Sequence, residues 1–167
     1  VDPTLGETAA DNRFVTVANS DVVPDLALGR FPVNTASEAA NMVAKTINYE
    51  TQCACDSWNL NMLFVSDNIE GGGGNFYNYS NEIADGFADE PANTVPLIPD
   101  AYTVTKLYMG QTCDPTNPSY ATECRNAITT TLNTSGALFL SYVGHATKQY
   151  WAAERIMDNA ALQTLSN

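Results

Sequence analysis

The run Leu60-Asn61-Met62-Leu63-Phe64-Val65-Ser66 is the strongest constraint on what this chain can fold into. It has strand length, is almost wholly apolar and stops at Asp67, with Gly71-Gly72-Gly73-Gly74 just beyond. Near-continuous hydrophobicity of this length implies burial on both faces, so the run belongs inside a sheet covered on two sides. Four consecutive glycines cannot hold regular structure and predict a flexible loop directly after that strand. A second apolar run, Ala137 to Val143, ends in Gly144-His145.

Helical patterns alternate with these strands. Thr35-Ala36-Ser37-Glu38 has capping-box spacing, in which Thr35 accepts from the Glu38 N–H while Glu38 reaches back. Ala36, Ala40, Val43 and Ile47 then recur on one helical face, until the segment from Cys53 to Asn59 breaks the pattern. Phe76 to Phe87 and Ser119 to Leu132 read as helices, Tyr102 to Met109 as a strand, and Asn159 to Leu165 as the start of a further helix. Arg13 to Ala18 alternates in the manner of a strand, and Asp21 to Val33, with two prolines, reads as a structured loop. Alternating strands and helices predict an α/β sheet with helices on both faces. Ligands of such sheets bind beyond the carboxyl ends of the strands, so Asp67, the glycine loop and His145 should share one edge.

Composition narrows the possibilities. The chain has 167 residues, with 44% hydrophobic and 10% aromatic, enough for one domain with a sizeable core. Seven Lys+Arg against 19 Asp+Glu leave a net charge of −12, which argues against nucleic acid and anionic membrane surfaces as partners. No apolar run reaches the roughly 20 residues of a membrane helix. A chain opening on Val1, with neither an initiator Met nor a signal peptide, is expected to be a piece of something longer.

The four cysteines fall into two close pairs, Cys53 with Cys55 and Cys113 with Cys124. With a single His, a Cys/His zinc site would need an unusual ligand set, so two disulfides and an oxidising compartment are the expectation. A strand of this length spans ~20 Å. A disulfide needs Cα atoms within about 7 Å, so bridges across the two sheet edges are excluded and local pairing is favoured. Asn78-Tyr79-Ser80 and Asn133-Thr134-Ser135 match the glycosylation sequon, a short pattern without meaning in a bacterial protein.

His145 is the one side chain whose ordinary pKa lets it exchange protons near neutral pH. Asp67 is its natural partner, because a carboxylate fixes the tautomer of an adjacent imidazole and stabilises its charged form; the alternative is that Asp67 caps the following turn. Glu70 competes for either task. The glycine run lacks the Gly-Lys-Ser/Thr of a phosphate cradle and any dinucleotide fingerprint. Asp2, Glu7, Asp11, Asp21 and Asp25 offer oxygen ligands for calcium but not the spacing of a helix-loop-helix site, so a solvated acidic face is expected.

Several segments resemble one family in order along the chain. Asp25-Leu26-Ala27-Leu28-Gly29-Arg30-Phe31-Pro32-Val33, then Thr35, Glu38-Ala39 and Met42 to Glu50, is similar to the opening segment of gingipain-type cysteine peptidases. Trp58, the strand ending at Ser66-Asp67-Asn68, and Ser141-Tyr142-Val143-Gly144-His145 with Trp151 and Glu154 continue the match. The resemblance implies a caspase-like three-layer α/β/α sandwich with a mostly parallel sheet, incomplete at the carboxyl end. It implies a secreted or cell-surface bacterial endopeptidase acting on peptides or proteins. His145 would be the catalytic His, with Asp67 or Glu70 orienting it. The backbone N–H of Ala146, where the family has Gly, would serve the oxyanion hole. The chemistry requires no cofactor, and calcium stands as a candidate structural ion.

In that family the nucleophilic Cys follows the His at the end of the next strand, which this sequence does not reach. All four cysteines precede His145. The expected function is therefore part of a cysteine endopeptidase whose thiolate, and the rest of whose catalytic domain, lie elsewhere. The alternative is an inactive peptidase-like domain acting as a surface or assembly module. Asp85, Asp89 and Glu90 are candidate acids for a basic specificity pocket, with no geometric case for any one of them.

Overall fold

The structure is a computed structural model that describes residues 11–18, 21, 23–52, 56–69, 73–86, 97–114 and 121–166. It divides into two compact units, Val1–Ala54 and Cys55–Asn167.

In the first unit the helix α1 spans Ala36–Gln52. Its start is set by the capping box: the Glu38 N–H donates to Thr35 Oγ1 at 3.2 Å, while Glu38 Oε2 accepts from the N–H groups of Thr35 at 3.0 Å and Asn34 at 2.7 Å. These bonds hold the Glu38 carboxyl below its usual pKa, the Asn34 contribution being the largest. The strand expected over Arg13 to Ala18 does not form. Asp11–Phe14 is a 3-10 turn, and the residues after it bond to a loop. The Asp25 N–H donates to Val15 O at 2.9 Å, and Asp25 Oδ2 accepts from the N–H groups of Val17 at 2.7 Å and Ala18 at 2.8 Å. A single carboxylate thus takes up donors that alternation alone would have assigned to a neighbouring strand.

The second unit is built on β1, Asn61–Ser66, paired in parallel with β2, Thr103–Tyr108, on one side and β3, Phe139–Val143, on the other. Helix α2, Phe76–Asp85, connects β1 to β2, and α3, Thr122–Thr134, connects β2 to β3. Leu63, Phe64, Val65 and Ser66 are all buried, as the apolar run required. The strand period of two sends them to opposite faces. Leu63 and Val65 pack with Ile128 and Leu132 of α3, whereas Phe64 packs with Ala84 of α2 and Tyr108 of β2. The result is a three-strand parallel sheet flanked by helices, consistent with a caspase-like α/β/α arrangement whose sheet is incomplete.

Beyond β3 the chain makes a short antiparallel pair, β4 (Tyr150–Trp151) with β5 (Met157–Asp158), and a one-turn helix α4, Asn159–Leu162. Helix α2 stops two residues before the expected Phe87, at Gly86 with φ of 88°, a conformation that L side chains rarely adopt. Cys113 and Cys124 form the expected local disulfide, with Cα atoms 5.2 Å apart, tying the loop after β2 to the first turn of α3. Cys53 and Cys55 lie outside the described residues. Both sequon asparagines fall in helices, and the Asn133 side chain is engaged with Thr164 O and the Ser166 N–H. No helix among the described residues is long and apolar enough to cross a membrane.

Candidate active site

The parallel register that sets Ser66 beside Val143 brings the next residues of β1 and β3 together at the carboxyl edge. The Asp67 N–H donates to Val143 O at 3.0 Å, extending the ladder one step past both strands. Gly144 makes this possible, because a Cβ there would sit 2.4 Å from Asp67 Cβ and 2.5 Å from the Tyr142 hydroxyl oxygen. His145 follows immediately.

Asp67 Oδ2 accepts from the His145 backbone N–H at 3.0 Å and lies 3.1 Å from His145 Nδ1, while Oδ1 accepts from the Asn68 N–H at 2.9 Å. Asp67 therefore both orients the imidazole and receives the N–H of its own turn. The carboxylate is 1% exposed and the His145 side chain 52%, so the pair has a buried end and an accessible end. A carboxylate at Nδ1 favours the tautomer with its proton there, leaving Nε2 as the basic nitrogen.

One residue missed from the sequence, and one from the glycine loop that it placed at this edge, complete the imidazole's surroundings. Phe76, at the start of α2, meets the ring edge-on, with centroids 5.1 Å apart and planes at 84°. Gly73 sits beside Phe76, where a Cβ would lie 2.5 Å from Phe76 Cζ and 2.9 Å from both Cε1 and Nε2 of His145. The described end of the glycine run is thus a close-approach position beside His145. Periodicity marked Phe76 as helical, but no local signal ties it to a residue so far along the chain. Glu70, Gly71 and Gly72 lie outside the described residues.

The loop carrying His145 is pinned from behind. Tyr142 stacks on Trp151 with centroids 4.5 Å apart and planes within 3° of parallel. Its hydroxyl donates to His145 O at 2.7 Å, and the Ala152 N–H donates to the same carbonyl at 2.8 Å. Burial, then the Asp67 charge, push the Tyr142 phenol far above its ordinary pKa. Ala146 faces Trp151 across an isolated antiparallel bridge. The turn after β4 takes positive φ at Ala152 (58°) and Arg155 (60°). It is secured to α3 by the Ala121 N–H donating to Glu154 O at 2.8 Å and by the Arg125 guanidinium on Arg155 O.

Other acids named from the sequence are occupied elsewhere. Asp85 pairs with Lys106 at 2.5 Å, and Asp89 and Glu90 lie outside the described residues. Asp11 pairs with Arg30, Asp21 Oδ1 accepts from the Val23 N–H, and Asp25 is committed to Val17 and Ala18. Asp2 and Glu7 are outside the described residues. Among the described residues no group of three or more His, Cys, Asp or Glu side chains is placed to hold a metal ion.

No curated protein and no solved structure matches the chain. A family model described as peptidase family C25 matches residues 3–167. The chain accordingly belongs to peptidase family C25, the gingipain family of cysteine peptidases.

Proposed function

We propose that this chain supplies the histidine half of a cysteine endopeptidase site, His145 being the general base and acid for a thiol contributed from outside the 167 residues. The observation that carries this reading is the pair of hydrogen-bond contacts between His145 and Asp67 Oδ2, at 3.0 Å from the backbone nitrogen and 3.1 Å from Nδ1. Together with the half-exposed ring, it gives an oriented, accessible base. Nε2 takes the thiol proton, the thiolate attacks the scissile carbonyl carbon, and the carbonyl π electrons move to oxygen. The Ala146 N–H donates to that oxyanion. As the tetrahedral intermediate collapses, Nε2 passes the proton to the leaving amine, and water then hydrolyses the thioester. Asp67 holds the ring throughout; Glu70 stands as the alternative acid for that task.

The described cysteines support an external nucleophile, since Cys113 and Cys124 are bonded to each other. The same disulfide supports a secreted or cell-surface location, because thiols of cytosolic proteins are kept reduced.

The test is labelling of the intact protein by a peptidyl acyloxymethyl ketone, which alkylates an activated thiolate. Wild-type protein should be labelled, and His145→Ala should lose labelling by several orders of magnitude. Labelling that survives in His145→Ala removes the His from the mechanism. No labelling of the wild type favours the inactive, peptidase-like module, a reading motivated by Ala146 standing where the family has Gly.

A further inference from the structure

His145 C=O and Ala146 N–H belong to one planar trans peptide unit, so whatever holds the carbonyl also aims the N–H on its opposite side. Two donors converge on that carbonyl, the Tyr142 hydroxyl at 2.7 Å and the Ala152 N–H at 2.8 Å. The short ladder here is closed by Ala152 N–H to His145 O and by Thr147 N–H to Tyr150 O at 2.9 Å. Ala146 and Trp151 are therefore a non-hydrogen-bonded pair, and the Ala146 N–H is directed away from β4. Ala146 is exposed.

We propose that Tyr142 is a positioning residue for the oxyanion donor: stacked on Trp151, its hydroxyl fixes and polarises the His145–Ala146 peptide so that the Ala146 N–H meets the developing oxyanion of a peptide substrate. This rests on the reading of Ala146 given under the proposed function. Hydrogen bonds to an amide oxygen draw electron density from nitrogen and make its N–H a stronger donor, by ~10–30% per bond in a cooperative chain. A donor prepared in this way needs no reorganisation when charge develops. The raised phenol pKa, caused by burial and then by Asp67, keeps the hydroxyl protonated and donating. The device also accounts for Ala at a position the family fills with Gly, since the plane is set by two bonds on its carbonyl and requires no glycine conformation. Gly144 fits the same scheme, because a Cβ there would come within 2.5 Å of the Tyr142 hydroxyl oxygen.

The test compares the intact wild-type protein with Tyr142→Phe, which keeps the ring and the stack but removes the donor. Labelling with carbonyl-13C histidine and 15N alanine selects His–Ala peptides, of which these 167 residues hold one, His145–Ala146. The Ala146 amide proton and nitrogen should move upfield in Tyr142→Phe. Removing a whole oxyanion donor costs about 10²–10³ in kcat; loss of its polarisation should cost about tenfold, with KM within about twofold. Affinity for a peptide aldehyde, which forms an oxyanion on the enzyme, should fall by the same factor. Replacing Tyr142 by 4-aminophenylalanine, which donates from the same ring position, should restore both readouts and guards against a misfolded Phe variant. An unmoved Ala146 amide, or a moved amide with kcat and aldehyde affinity unchanged, overturns the proposal. Failure of the underlying reading appears separately, as activity that survives His145→Ala.

Discussion

Asp67 Oδ2 accepts both the backbone N–H and the ring Nδ1 of His145, at 3.0 and 3.1 Å. One oxygen thus sets where the histidine's main chain lies and which way its ring faces. Asp67→Asn should keep an acceptor for one of these donors and present an amide N–H toward the wrong nitrogen. Activity of the intact protein should fall about 10²–10⁴-fold, the range in which a mis-set tautomer disables a histidine base. Asp67→Ala should also lower stability by about 2–4 kcal/mol, because the Asn68 and His145 N–H groups lose a buried partner. Denaturant midpoints measure the second effect; an Asp67→Ala midpoint equal to wild type would contradict the burial argument.

Gly144 and Gly73 should behave differently on substitution by Ala. At Gly144 the new Cβ meets Asp67 Cβ at 2.4 Å between two paired strand ends, so overpacking should cost about 1–3 kcal/mol and displace His145. At Gly73 the methyl meets Phe76 and the half-exposed His145 ring near Nε2, so activity should fall much more than stability. Thermal melts paired with thiol-labelling rates separate the two. Equal losses of both properties in the two variants would mean the glycines play one common role.

Alkaline pH should destabilise the protein through Tyr108. Burial, then the Asp85 charge, push its phenol up to about 12 from 10.0. Unfolded chain ionises first as pH rises past 10, so the folded state binds more protons in that window and stability falls between about pH 10 and 12. This contribution is fully present below pH 10 and amounts to at most about 3 kcal/mol. Tyr142, shifted the same way, adds to the loss. Tyr108→Phe should flatten the profile there, since phenylalanine has no phenol to ionise. A profile unchanged by that substitution would remove Tyr108 as the cause.

Replacing Cys113 and Cys124 together by Ala should lower stability by about 2–3 kcal/mol, the loop-closure contribution for so short a loop. The effect should reach the site. Cys124 lies in the first turns of α3, which Ala121 and Arg125 tie to the turn after β4, and Ala152 of that turn holds the His145 carbonyl. Amide exchange should therefore rise at Glu154, Arg155 and Ala152 in the double variant. Exchange confined to the loop after β2 would show that the disulfide acts locally.

The site was half legible in the sequence. His145 and Asp67 each end an apolar run, and the rule that strand ends of parallel sheets share an edge brings them together without further information. The same rule put the glycine loop at that edge without saying that Gly73 would touch the ring, and Phe76 carries no mark at all, because its contact with the imidazole rests on no local period. Tyr142 shows the limit from the other side. Its neighbourhood in Tyr-Val-Gly-His is plain, but its bond to the His145 carbonyl exists only because Trp151 returns to stack on it.

The failed strand at Arg13 to Ala18 has the same origin. Alternation describes which side chains are apolar, whereas a strand also needs a neighbouring chain for its backbone groups, and Asp25 met those needs locally. By contrast, the capping box at Thr35, the doubly buried β1 and the Cys113–Cys124 pairing followed from residues close in sequence or from strand length. The sequence by itself therefore determined helices α1 to α3, strands β1 to β3 and the pair of residues at the carboxyl edge, since each rests on short-range periodicity, capping or strand ends. Only the tertiary structure decided which atoms of that edge meet: one carboxylate oxygen on two His145 donors, and two donors on the His145 carbonyl. Those bonds depend on strand register and close backbone approach, and neither is encoded in any short window of residues.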